Sequence, residues 1–342
     1  MSWTVLVLAC ILVALGAWAA TWAVREALVR WCVYDTPNAR SSHTAPVPRG
    51  GGLALVPMVL AAWIAHAAWT GAAPPGLGMA VAGATVLAAV SWIDDLRGLP
   101  AGARLAVQAG AVGLGMVGLT GEGSVFQGWL PPGLDAVAAG LVWLWFVNLF
   151  NFMDGIDGIS GVEAGSIGVG LVLVGALAGW PWDALAPPAL LAGAVLGFLA
   201  WNWAPARIFL GDVGSVPLGF LLGWLLLRAA IAGEWVVALI LPLYYLADAT
   251  ITLARRAARG ERIWRAHRKH FYQRAALGGA GHARVALLVL ACNIALIACA
   301  GAAARDHAGI AFALAGVAVA CLLGVLARHA RRAPVPPPGE MR

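Results

Sequence analysis

Apolar runs of about twenty residues alternate with short polar, glycine-rich or proline-rich breaks from one end of the chain to the other. A membrane-spanning helix needs about 20 mainly apolar residues. Eleven such runs are present, centred near Val13, Val59, Thr85, Val112, Leu141, Leu171, Ala194, Leu222, Leu241, Ala291 and Gly316. Breaks such as "GAAPPG", "PPGLD" and "GWPWD" place Pro and Gly where a helix cannot comfortably continue. The pattern predicts an all-α polytopic membrane protein of about eleven transmembrane helices. It assigns residues 1–328 to one integral membrane domain and 329–342 to a basic, Pro-rich tail. Met1 to Val24 lacks a positive start and a cleavage site, so it reads as a retained helix.

Composition strengthens this reading. Of 342 residues, 61% are hydrophobic and 11% charged, against about 25% charged in soluble domains. Lys and Arg then set the orientation. With the N-terminus outside, twenty of the 22 basic residues fall on the inner side, leaving only Arg228 and Arg305 outside. The C-terminus is then cytoplasmic. A net charge of +6 suits anionic lipid and anionic substrates. No continuous basic stripe is present, so nucleic acid is not an expected partner. The five cysteines lie in or beside apolar runs without paired spacing and read as small fillers.

The unusual polar clusters all fall on the five inner connections. "SWIDDLRGL" sets Asp94 beside Asp95 at a membrane edge. Two adjacent carboxylates there mark either a solvated helix stop or a site for a hard cation. "NLFNFMDGIDGISG" spaces Asn148, Asn151, Asp154 and Asp157 three apart. Gly155 and Gly158 predict an unwound segment in which these side chains converge on a ligand, or a plain turn. "WNWAPARIFLGDVGSVPLG" places Asp212 between glycines, with Ser215 as a candidate helix cap. "DTPNARSSHTAPVPRGGGLAL" holds Asp35, Arg40, His43 and Arg49, either as phosphate contacts or as a positive-inside anchor. "ARRAARGERIWRAHRKHFYQRA" is the most basic connection, a candidate surface helix with His267 and His270 on one side. Asp248 is an intramembrane carboxylate, read as a buried partner for an inner arginine.

In this order the clusters resemble the polyprenyl-phosphate N-acetylhexosamine-1-phosphate transferase superfamily, glycosyltransferase family 4, over residues of about 35 to 275. The resemblance implies an inner-membrane enzyme with its site at the cytoplasmic face. A polyprenyl phosphate attacks the β-phosphorus of a UDP-N-acetylamino sugar and UMP leaves. It implies Mg²⁺, with Mn²⁺ as the alternative ion, held by Asp212 and Asp95. Asp94, Asp95, Asp212 and His270 are the implied catalytic residues. Arg49, Arg104, Asn151, Asp154, Asp157, Asn202, Phe209, His267 and Arg274 are the implied substrate contacts, with Phe209 on the uracil. In the last connection Tyr272 and Gln273 stand where many members carry histidines, and His267 where they carry an acid. That departure resembles the branch that begins O-antigen or related surface glycans with N-acetylfucosamine or N-acetylquinovosamine. A homodimer is compatible with the pattern.

Elementary chemistry agrees with direct transfer. A phosphate monoester has a second pKa of about 6 and is largely dianionic at neutral pH. Phosphoryl transfer then needs positioning and charge neutralisation more than a protein nucleophile. A secondary transporter is the rival from another class, but it would place its polar residues near the midplane, often with inverted repeats. The carboxylates here sit at helix ends.

Overall fold

The computed structural model describes residues 2–37, 45–261 and 267–331. Within them the chain is all-α apart from a two-residue antiparallel pairing, β1 (Tyr34–Asp35) with β2 (Val47–Pro48). The long helices are α1 (Trp3–Arg30), α2 (Gly52–Thr70), α3 (Leu77–Arg97), α4 (Ala101–Gly118), α5 (Pro132–Met153), α6 (Ile159–Leu177), α7 (Trp182–Asn202) and α8 (Asp212–Ile231). There follow α9 (Trp235–Ile240), α10 (Leu243–Ala258), α11 (Phe271–Ala275), α12 (His282–Ala302) and α13 (Ala308–Ala330). Eight helical segments among the described residues are long and apolar enough to cross a membrane: α1, α2, α3, α5, α6, α7, α8 and the run His282–Ala330. That run contains two of the expected spans. It turns at Ala303–His307, where Asp306 is left-handed, and α13 returns until the His329 carbonyl meets Gly278.

The run near Val112 forms α4. The one near Leu241 is not a continuous span. Pro242, which has no N–H to give, separates α9 from α10. The last helix reaches Ala330, two residues beyond the boundary expected at 328. The tail from 332, like Arg40 and His43, lies outside the described residues.

α8 is buried along most of its length and packs against α2, α3, α5 and α9. Lipid tails are as apolar as leucine, so helices in a bilayer are held by close packing and interhelical hydrogen bonds. Small residues permit the closest crossings. Gly52 faces Gly214 where α2 meets α8, and Gly193 and Gly197 of α7 lie against the Cys10 and Ala14 carbonyls of α1. Indoles supply polar ties. Trp143 stacks on Phe220 with ring centres 4.6 Å apart and donates its Nε1–H to the Phe220 carbonyl at 2.9 Å. Trp63 donates to the Pro187 carbonyl at 2.9 Å.

The two ends of the bundle differ in character. At one end, Asp135 gathers the 124–126 loop by accepting from the Ser124 hydroxyl and the Val125 and Phe126 N–H groups. Arg228 donates to the Pro75 carbonyl at 2.8 Å. The other end collects the polar clusters.

The Gly52–Gly214 contact leaves no room for a methyl group, because a Cβ on Gly52 would fall inside the Gly214 backbone. Gly52→Ala should therefore force α2 and α8 apart, at a cost of about 1–3 kcal/mol or more. A lower yield of monodisperse protein in detergent and a reduced melting temperature would show it. A parent-like melting temperature would contradict the close crossing.

Candidate active site

Two segments distant in sequence run side by side to build the site. The Phe209 N–H donates to the Pro48 carbonyl at 2.8 Å. Gly50 and Gly51 donate to the Phe209 carbonyl at 3.1 and 2.8 Å, and Gly52 to the Leu210 carbonyl at 2.9 Å. Gly50 has φ 130°, and a side chain there would meet the Trp92 ring. This pairing starts α2 and α8 together and delivers Arg49 to Asp212.

The N-terminus of α8 is capped from another helix. Asp95 accepts from the Asp212 N–H at 3.1 Å and the Val213 N–H at 2.9 Å, one through each oxygen. A helix N-terminus carries unsatisfied N–H groups and a partial positive charge, which suit a carboxylate. Ser215, the expected cap, instead lies one turn inside α8. It donates to the Gly211 carbonyl at 3.2 Å and accepts from Asn151 at 2.8 Å.

Three carboxylates then share two guanidinium groups. Arg49 lies 2.7 Å from Asp95 Oδ1 and 3.0 Å from Asp212 Oδ1. Arg104 lies 3.1 Å from Asp94 Oδ2 and 3.7 Å from Asp212 Oδ2. Asp94 also accepts from the Leu99 N–H, and Asn151 donates to Asp212 Oδ1 at 3.2 Å. Burial opposes the charge on Arg49, but Asp95, Asp212, Asp35 and Asp154 outweigh it and raise its pKa. A cavity of about 170 Å³ opens beside this cluster between α3, α4, α5 and α8. Asp94, Arg104, Asn148, Asn151 and Asp212 line its polar part.

These donors fit a hard cation of the Mg²⁺ kind. Among the described residues no three His, Cys, Asp or Glu side chains converge on one ion position. Mg²⁺ is commonly held by one or two carboxylates, its other ligands coming from water and substrate phosphates. Asp212 suits that role, since its side chain is part-exposed and its Oδ2 lies as far as 3.7 Å from Arg104. Asp94 stands across the same cavity. Asp95 differs from the expected metal ligand. Its side chain is only 2% exposed, and both oxygens already bind the start of α8.

The turn between α5 and α6 holds the next group. The helix does not unwind at Asn148. α5 continues to Met153, so Asn148 and Asn151 are helical and only Asp154 and Asp157 lie in the turn. Asp154 is part-exposed. Crowding by protein pushes its carboxyl up to about 7, opposed by the Ser160 hydroxyl, while the charge of Asp212 adds to the rise. Asp157 and Asn202 brace the turn. Asp157 accepts from the Ala206 N–H at 3.0 Å and meets His282 Nδ1 at 3.1 Å. Asn202 accepts from the Gly158 N–H at 3.0 Å and donates to the Ile208 carbonyl at 2.9 Å. Phe209 is part-buried beside Arg49.

The histidine connection is packed beneath that turn. Asp248 is a buried partner of His270 and of the start of α11. It accepts from the Phe271 and Tyr272 N–H groups at 3.0 and 3.2 Å and lies 3.2 Å from His270 Nδ1. It thus caps α11 and fixes a buried His270. Tyr272 donates to the Phe152 carbonyl at 3.1 Å. Tyr272 and Gln273 close on Gly155, where a Cβ would strike both. His267 stacks on His270 with centres 4.8 Å apart. Burial, then the charges of His270, Arg256 and Lys269, lower its pKa to about 4. Arg274 is exposed. The sequence reading missed His282 and Gln108. His282 begins a helix after a glycine turn, and Gln108 follows Arg104 by four residues on the same helix face.

Comparison with known proteins shows the family. The family described as Glycosyl transferase family 4 matches residues 77–230, a stretch that spans α3 to α8. The chain is 30% identical over 307 residues to a decaprenyl-phosphate N-acetylglucosaminephosphotransferase of Mycolicibacterium smegmatis, covering 79% of this chain and 75% of the relative. It is 28% identical over 279 residues to a probable undecaprenyl-phosphate N-acetylglucosaminyl 1-phosphate transferase of Bacillus subtilis, covering 78% and 76%. It is 33% identical to a phospho-N-acetylmuramoyl-pentapeptide-transferase of Streptococcus pyogenes over 144 residues, 39% of this chain and 41% of the relative.

The raised pKa of Asp154 makes a prediction for the metal-free protein. Between about pH 4 and 7 the unfolded aspartate is ionised while the folded one keeps its proton. The folded state then binds more protons, so stability falls as pH rises through that window and stays lower above it. Asp154→Asn removes this dependence. Its melting temperature, relative to the parent in EDTA, should gain a few degrees between about pH 5 and about pH 8, at about 2–4 °C per kcal/mol. A constant difference across that range would contradict the shift.

Proposed function

The chain belongs to glycosyl transferase family 4, and from that premise we propose that it transfers an N-acetylamino-sugar 1-phosphate from a UDP-sugar to a polyprenyl phosphate. The observation that carries the proposal is the meeting of Asp94, Asp95 and Asp212 with Arg49 and Arg104 at one end of a membrane-spanning bundle. The Lys and Arg distribution favours the cytoplasmic face of the bacterial inner membrane for that end. A water-soluble sugar nucleotide and a membrane-anchored phosphate meet naturally there.

The chemistry follows from charge. The lipid phosphate oxygen forms a bond to the β-phosphorus, the bond to the α-phosphate oxygen breaks, and UMP leaves. Both substrates are anionic, so the site must overcome their repulsion. Arg104 is 41% exposed and can exchange its carboxylate partners for phosphate oxygens. Arg49 holds Asp212 in place while remaining part-exposed itself. A divalent cation held by Asp212, with Asp94 near, would neutralise phosphate charge when bound. Asp95 acts through α8 by fixing where Asp212 points. Asp154 feels the charges of Asp212 and Arg49 and suits a contact to the sugar nucleotide. His270 and His267 belong to the packed connection that supports the turn from below. We assign them a positioning role through Tyr272 and Gln273.

Within the class of donors, Tyr272 and Gln273 favour N-acetylfucosamine or N-acetylquinovosamine and a role at the start of a surface glycan such as O-antigen. The names of the relatives favour N-acetylglucosamine as the second reading. The purified protein, undecaprenyl phosphate and a panel of radiolabelled UDP-N-acetylamino sugars decide between them. Label should move into lipid only with Mg²⁺ or Mn²⁺ present, and EDTA should stop it. Asp212→Asn should lower turnover about 100-fold or more while the protein remains folded. Full turnover in that variant would remove Asp212 from the proposed site, and uptake into vesicles without a lipid product would favour transport.

A further inference from the structure

Gln108 lies inside the bundle, on α4, and is 7% exposed. Its Oε1 has no hydrogen-bond partner among the described residues. An unsatisfied buried amide is costly in a protein interior and more so in a bilayer. Such a group calls for an explanation, and its surroundings supply one. Gln108 lines the same cavity as Asp94, Arg104 and Asp212. It follows Arg104 by four residues, so both side chains share one helix face, with Gln108 about 6 Å further from the polar end.

Apart from Ser91, the walls around it are apolar. Leu87, Val90, Leu105 and Val107 line that part of the cavity, and Leu105 is also exposed on the outer surface of the bundle. The cavity therefore joins a charged end to a hydrocarbon-facing side. A sugar nucleotide would place hydroxyl groups against leucine and valine there. A phosphate on an apolar stem would place its head between Arg104 and Gln108 and its first isoprene units along the leucines.

We infer that Gln108 binds the phosphate head of the lipid acceptor, an inference that rests on the proposed transferase reading. The amide is suited to that ligand. Its NH₂ donates to a non-bridging oxygen of either ionic form, and its carbonyl accepts from the P–OH of the monoanion, the minor form at neutral pH. It does so without adding charge beside the three carboxylates.

The test separates a binding group from a structural one. In Gln108→Met the side chain keeps its length and loses both hydrogen-bonding atoms. A structural glutamine would leave the variant less stable. A ligand-binding one leaves the ligand-free melting temperature equal or higher, because a buried orphan acceptor has been removed. Affinity for undecaprenyl phosphate, read by native mass spectrometry and by thermal shift, should fall about 10- to 100-fold. Affinity for undecaprenol, which lacks the phosphate, should not change, nor should the KM for the UDP-sugar.

Failure of Gln108→Met to fold, or a lower ligand-free melting temperature, would overturn the inference. So would an unchanged affinity for undecaprenyl phosphate, or a loss confined to the UDP-sugar. Gln108→Glu provides the second variant. It should weaken phosphate binding further by placing a third carboxylate in the cavity, beside Asp94 and Asp212, and tighter binding would overturn the inference. If the parent binds undecaprenyl phosphate but transfers no sugar phosphate, the proposed function fails and binding by Gln108 is still decided by these affinities.

Discussion

Asp95 is the constraint on which the site depends. Its carboxylate accepts from two N–H groups at the start of α8 and from Arg49. It therefore satisfies a helix end, compensates the positive end of a helix dipole and pairs with a guanidinium at the same time. Without that anchor, the first turn of α8 would lose two N–H partners, and Asp212 would be held by its hydrogen bonds to Arg49 and Asn151. The three-acid cluster is tolerable in a low-dielectric setting only because the helix end, Arg49 and Arg104 supply opposing charge.

The wider architecture serves this point. Close crossings between glycines bring α2 against α8 and so bring Arg49 to Asp212. The α5–α6 turn is fastened on two sides, by Asn202 and by His282 through Asp157. Beneath it, Asp248 caps α11 and holds His270, and Tyr272 reaches the Phe152 carbonyl. Asp94, Asp95, Asp157, Asp212 and Asp248 each have a partner of opposite charge or a set of N–H donors. Gln108 is unlike them, since its amide oxygen lacks a partner among the described residues.

The apolar runs alone determined that the chain is a helical membrane protein, because lipid admits few other backbones and most of the runs are long enough to cross. The order of polar motifs identified the family, and the positions of Asp94, Asp95, Asp212, Arg49 and Arg104 were legible as a group. Their division of labour was not. Adjacent Asp94 and Asp95 are indistinguishable in sequence. Only the fold turns one to Arg104 and the cavity and the other to the backbone of α8. The same limit applies to Asn202 and Asp157, whose hydrogen bonds join segments far apart in the chain, and to Asp248, whose backbone N–H donors lie more than twenty residues away. Local pattern fixes which side chains are present at a membrane edge. Which of them face each other is set by helix crossings, and those depend on contacts across hundreds of residues.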